Sequence, residues 1–239
     1  MNDVHLDVLN TKKLYREIFN NILNSMPELF EKLKPTCQNC EKISNCNINK
    51  NNPFQVFEDN CNLKNWQENI THALEVDLSK DILQKLKDIE NDKDAFVCNR
   101  CTICCKFATS EFDYNTLKEK AKNGDIFAKQ FISIFQPYKD FNDAKNAYPD
   151  YVEMLEENLE NINKVYFYYC KKLNNNGLCS DYENRLQICR DFPNNPLVLL
   201  PKCCGYKEWK EKHHFEALLV HATLEIIEFY IKKLKNVSV

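Results

Sequence analysis

The chain carries thirteen cysteines, and four of them fall within eight residues: Cys98-Asn-Arg-Cys101-Thr-Ile-Cys104-Cys105. So dense a run constrains the fold more than any apolar periodicity. Thiols this close become disulfides, metal ligands or small buried side chains. The odd total fits poorly with a closed disulfide framework. The first residues, MNDVHLDVLNTKKLYREIF, have no basic segment followed by an apolar one, so no secretory leader is expected. No stretch of eighteen apolar residues occurs, so no membrane span is expected either. The expected setting is cytoplasmic, where thiols stay reduced. Reduced cysteines at short spacing read as metal ligands.

A two-residue spacing lets a short turn direct two sulfurs at one centre. Cys98, Cys101 and Cys104 match the first three positions of the bacterial ferredoxin run C-x2-C-x2-C-x3-C-P. The fourth position is missing, and Cys105 follows at once. Neighbouring side chains diverge, so Cys104 and Cys105 are expected to face different centres, or one of them alone ligates. The remaining donors must come from far along the chain: Cys170, Cys179 and Cys189, with Cys203 or Cys204 completing a set. These groups supply enough thiolates for two four-ligand sites. A further candidate group is Cys37, Cys40, Cys46 and Cys61, which holds one x2 pair.

Structural zinc usually shows two closely spaced pairs, often with histidine. Here the later spacings are wide and contain no histidine. That favours an iron–sulfur cluster, with [4Fe–4S] first and zinc as the alternative. The blander reading is a zinc staple, or buried free thiols packed as small hydrophobes. Only four arginines occur, Arg16, Arg100, Arg185 and Arg190, and three of them lie inside the cysteine motifs. Arg100, Arg185 and Arg190 are therefore expected on the cofactor side, where a planar fork can hydrogen-bond sulfur or clamp a carboxylate. Local ion pairing is the alternative for them.

Composition removes other classes. The net charge of -3 gives no electrostatic footprint for nucleic acid. Three glycines, Gly124, Gly177 and Gly205, cannot make a Rossmann or P-loop phosphate cradle. There is no Ser-His-Asp order, no H-E-x-x-H and no radical C-x3-C-x2-C arrangement. At 239 residues the chain suits one domain with an attachment, or two modest domains.

Periodicity predicts a mainly α fold, with an irregular cysteine-rich metal-binding core and at most a short β-hairpin. Leu14, Ile18 and Ile22 recur at helical spacing; a second helix is expected from Pro27, capped by Ser25. Ser79 is a candidate cap for a helix bearing Ile82, Leu86 and Ile89, and Asn91 to Asp94 looks like a linker. A helix opens near Asp113, pauses at Gly124 and runs on through Phe127, Phe131 and Ile134 to Pro137. Another follows Pro149. The β-branched and aromatic run from Lys164 to Cys170 predicts a strand, with Leu178-Cys179 as its return after an Asn-Gly turn. Its Tyr166, Phe167, Tyr168 and Tyr169 are expected to shield the cluster. The last thirty residues read as an amphipathic helix bearing Phe215, Leu218, Leu219, Ala222, Ile226, Phe229 and Tyr230. His213, His214 and His221 on it read as a solvated or packed face. The expected segments are 1–92, 93–210 and 211–239.

Cys98-x2-Cys101-x2-Cys104-Cys105 resembles the CxxCxxCC signature of the YkgJ-type cysteine-cluster family of zinc- or iron-chelating proteins. Tyr169-Cys170, the block from Gly177 through Cys179 and Tyr182 to Arg185, and Cys189-Arg190-Asp-Phe192-Pro193 are similar to later blocks of that family. The resemblance covers roughly residues 95–205. Two departures stand out: Thr102 where the family often has glycine, and Leu186 where proline usually follows the arginine. The resemblance implies metal chelation, of iron first. By motif the chain is also distantly similar to flagellin lysine-N-methylase, which implies methyl transfer to protein lysines by analogy only.

The expected function is thus an iron–sulfur protein with a redox or protein-modifying activity, whose partner is a protein substrate or a redox protein. The competing reading is a non-catalytic, zinc-stabilised interaction module. Metal storage and delivery ranks last, because closed thiolate coordination offers no exit path. Neither nucleic acid nor membrane is expected as a partner.

Overall fold

The computed structural model describes residues 3–37, 48–57, 61–158, 165–198, 200 and 203–237. Helices dominate them, and three short strands form one antiparallel sheet. The fold is mainly α, as the apolar periodicity predicts. The chain divides into two compact units: Thr11–Asp94 with His213–Val239, and Met1–Asn10 with Ala95–Lys212.

In the helical unit, α1 (Asp3–Lys32) passes through Pro27 without a break. The expected cap, Ser25, instead donates its hydroxyl to the Ile22 carbonyl at 2.7 Å. Proline inside a helix costs about 3 kcal/mol. Met26 and Phe30 flank it and are both buried, and each such side chain contributes about 1.5–3 kcal/mol, enough to offset that cost.

Three further segments follow one another directly: α2 (Lys64–His72), a π-helical turn (Ala73–Asp77) and α3 (Leu78–Lys93). Ser79 therefore lies inside a helix, not at its cap. Its hydroxyl reaches the Leu74 carbonyl at 3.4 Å, five residues back, the reach of a π turn. The expected linker at 91–94 is helical up to Lys93.

The C-terminal helix, α10 (Lys207–Val237), supplies Val220, Ile226, Ile227, Tyr230 and Leu234 to the core that holds Met26, Phe30, Trp66 and Leu74. Trp66 donates its indole N–H to the Phe30 carbonyl at 2.6 Å. Tyr230 meets Phe30 edge-on at 4.9 Å and stacks on Phe54 at 5.7 Å. Phe215 and Phe229, read as part of the apolar stripe, are 54% and 46% exposed.

The cysteine unit runs α4 (Ile103–Lys106), β1 (Ala108–Ser110), α5 (Tyr114–Lys122), α6 (Ile126–Ile134), β2 (Phe135–Pro137), α7 (Phe141–Ala147), α8 (Pro149–Asn158), β3 (Tyr166–Cys170) and α9 (Gln187–Asp191). Asp113 caps α5 by accepting the Asn115 and Thr116 amides at 2.8 and 2.9 Å. Gly124, at φ +100°, permits the turn into α6, which Asp125 caps through the Ala128 amide.

β3 is the central strand, in order β1-β3-β2. Ala108 faces Tyr168 on one side, and Phe135 faces Cys170 on the other. The expected return strand at Leu178-Cys179 is an isolated bridge between Leu173 and Cys179. The Asn174 side chain accepts the Asn176 and Leu178 amides, both at 3.0 Å, and closes the turn between them. Successive residues of β3 face opposite sides. Tyr168 enters a core with Leu117, Phe131 and Ile134, whereas Phe167 joins Phe107, Ala144 and Val152.

Candidate metal centre

Nine of the candidate cysteines lie in the cysteine unit, and all are free thiols: Cys98, Cys101, Cys104, Cys105, Cys170, Cys179, Cys189, Cys203 and Cys204. Their interactions sort them into two sets. In the first, the Cys101 side chain hydrogen-bonds with Cys203 and Cys204, and Cys204 lies within electrostatic reach of Cys98. In the second, Cys105 hydrogen-bonds with both Cys104 and Cys170 and feels Cys179, while Cys189 feels Cys170 and Cys179.

Backbone contacts build the first set. The Asn99 side chain donates to the Cys203 carbonyl, and Gly205 lies directly against the Val97 carbonyl. These bring 203–205 onto 97–99, although more than a hundred residues separate them. Within the motif, Arg100 and Thr102 both adopt the left-handed region, at φ 58° and 59°. Two such residues in a row of five wind the chain tightly around Cys101. The position the resembled family gives to glycine is therefore one where this chain places a β-branched residue at positive φ.

Sheet register builds the second set. β1 begins two residues after α4 ends, and it pairs with β3, so Cys105 comes to the end of β3 where Cys170 lies. Tyr138 donates to the Lys106 carbonyl at 2.5 Å and ties down the end of α4. The Leu173–Cys179 bridge folds Cys179 back. Gln130 on α6 accepts the Ile188 amide at 3.0 Å and holds α9, with Cys189, in place. Cys170 is buried in the aromatic core around Tyr168, and Cys105 and Cys189 pack against it. The shield expected from the aromatic run is therefore partial: Phe167 and Tyr168 turn inward, whereas Tyr166 and Tyr169 are 38% and 36% exposed.

Three of the thiols accept backbone N–H groups two residues further on. Ile103 donates to Cys101, Tyr206 to Cys204, and Lys172 to Cys170 at 3.3 Å. Such bonds favour sulfur as an anion. The surroundings oppose that charge. Burial pushes the Cys101 thiol up to about 11, with Cys204 and Cys203 adding to the shift. Burial and the neighbouring Cys170 raise Cys189 to about 11, against a lowering by Arg185. Cys105 is raised first by its bond with Cys104, and Cys170 by its bond with Cys105 and by burial. Crowded buried thiols resist collective ionisation, and a bound cation removes that penalty. Among the described residues, no three His, Cys, Asp or Glu side chains converge closely enough to enclose a single metal ion. The donors themselves suit a thiophilic metal: all are sulfur, and three already carry hydrogen bonds that support thiolate.

The arginines organise the loops. The Arg100 and Arg185 guanidiniums lie 3.9 and 3.8 Å from the Tyr182 ring centroid. Tyr182 donates to the Cys98 carbonyl at 3.5 Å. Arg100 also pairs with Glu183 at 3.5 Å. Arg185 donates to the Tyr182 carbonyl, and Arg190 to the carbonyls of Arg185 and Glu183. The Arg185 charge also lies within electrostatic reach of Cys189.

Cys37 and Cys61 pack against the core of the helical unit. Cys40 and Cys46 lie outside the described residues. His213 is buried and bonds Asp92 at 2.8 Å and Glu216 at 2.7 Å; His214 pairs with Thr11. Sequence reasoning missed Asn99, Gln130, Tyr182 and Gly205 as supports of the thiols. Gly205 carried a signal, being one of three glycines and following Cys203-Cys204 directly.

Comparison with protein-family models, with curated proteins and with solved structures gives no match. No helix among the described residues is long and apolar enough to cross a membrane.

Proposed function

We propose that this chain is a cytoplasmic metal-cluster protein of the YkgJ type that holds iron–sulfur through its cysteine unit. The observation that carries the reading is the assembly of nine free thiols from three distant segments, with backbone N–H groups aimed at Cys101, Cys170 and Cys204. Hydrogen bonds to sulfur and burial are the levers by which a protein sets the potential of such a cluster. Both are present at Cys170. All-sulfur donation and the CxxCxxCC motif favour iron–sulfur over a mixed Cys/His zinc site. A redox or protein-modifying activity, with a redox protein or a protein side chain as partner, follows from the motif resemblance.

Metal and acid-labile sulfide content, measured on protein purified without oxygen, tests the reading. Iron with matching sulfide is the expected result. Zinc without sulfide would make the unit a zinc-stabilised interaction module and remove redox chemistry. Protein with no bound metal would overturn the proposal.

A further inference from the structure

We propose that the cysteine unit holds two separate metal centres, one on Cys98, Cys101, Cys203 and Cys204, the other on Cys105, Cys170, Cys179 and Cys189, with Cys104 as a non-ligating neighbour. The inference rests on the reading that these thiols bind metal. It adds which thiols act together.

The two sets are built by unrelated devices. The first depends on the approach of 203–205 to 97–99, through Gly205 against Val97 and Asn99 to Cys203. The second depends on the β1–β3 register, the Leu173–Cys179 bridge and the Gln130 contact to α9. Each supplies four thiols, the number that closes a structural zinc site or a [4Fe–4S] cluster. Nine thiols exceed what one such centre takes.

The adjacent pair divides unequally. Cys105 bonds Cys170, feels Cys179 and packs on the aromatic core, whereas Cys104 joins the set through its bond to Cys105. The two sets meet in the chain at Cys101 and Cys105. Four residues span about 14 Å at most, so the two centres are neighbours.

The test uses the full chain and reads metal bound per chain by native mass spectrometry. Cys98→Ser with Cys203→Ser should lose one centre's metal and keep the other's. Cys170→Ser with Cys189→Ser should do the converse, and the two losses should add up to the loss seen when all four are replaced. Cys104→Ser should keep the wild-type content. If either pair loses as much as all four together, or if Cys104→Ser loses a centre, the division is wrong.

A second measurement avoids unfolded variants. Wild-type protein, partly stripped with a chelator, is alkylated, and its labels are mapped. In chains that have lost one centre, labels should fall within a single set of four. Labels shared across both sets would overturn the division while leaving metal binding intact. Wild-type protein with no metal would instead overturn the underlying reading.

Discussion

A Cβ placed on Gly205 would stand 2.0 Å from the carbonyl oxygen of Val97 and 3.1 Å from the Asn99 amide nitrogen. The obstacle is backbone, so no side-chain rotation relieves it. Gly205→Ala should push Cys203 and Cys204 away from Cys98 and Cys101. The expected cost is at the upper end of overpacking effects, about 3 kcal/mol. Thermal melting checks the stability. A metal assay should show the Cys98 set losing its ion while the Cys170 set keeps it. A variant that melted and bound metal like wild type would show that this approach is not needed.

Thr102 is buried and lies at φ 59°, where a β-branched side chain clashes with its own backbone. Such a residue costs of the order of 1–3 kcal/mol, and glycine returns about 0.5–1 kcal/mol of that as lost chain entropy. Thr102→Gly should therefore stabilise the protein by up to about 2.5 kcal/mol. Denaturant unfolding of the two proteins measures it, and a fall in stability would contradict the expected relief.

How much of this could be read in the sequence depends on the range of the interaction. The helix start at Asp113 and the strand ending at Cys170 are local, and the residues announce them. The C-terminal helix shows its apolar face because Ile226, Tyr230 and Leu234 repeat at helical spacing. The grouping of the thiols was not legible. The first set follows from a contact across more than a hundred residues, that of 203–205 with 97–99, and the second from β1, three residues long and too short to show alternation. The continuity of α1 through Pro27 was hidden for a similar reason. Burial of Met26 and Phe30 against α10 overrides the local breaker, and no local window contains both partners.

Tyr182 carries two guanidiniums, those of Arg100 and Arg185. A cation near an aromatic face contributes about 0.5–1 kcal/mol at exposed sites. Tyr182→Leu should thus destabilise the unit by about 1–2 kcal/mol and free both loops. Arg185→Lys keeps the charge near Cys189 but loses the planar stack and the Nε bond to the Tyr182 carbonyl. It should show about half the effect of Tyr182→Leu in melting experiments. Wild-type stability in the lysine variant would mean that charge alone matters there.

His213 is held between two carboxylates, Asp92 at the end of α3 and Glu216 one turn on in α10. Burial opposes its charge, but the hydrogen bonds and charges of Glu216 and Asp92 outweigh it and hold the imidazole above its usual value of 6.5. The sign of the pH effect follows. The folded protein binds the proton more tightly than the unfolded chain does. The stabilisation is therefore complete below the unfolded value of about 6.5 and is lost as pH rises through the raised folded value. Melting temperature should fall across that interval in the wild type. His213→Gln keeps a hydrogen-bonding side chain but cannot take the charge, so its melting temperature should be lower in acid and should lack that fall. Parallel curves for the two proteins from about pH 5.5 to about pH 9 would show that His213 is not the group responsible.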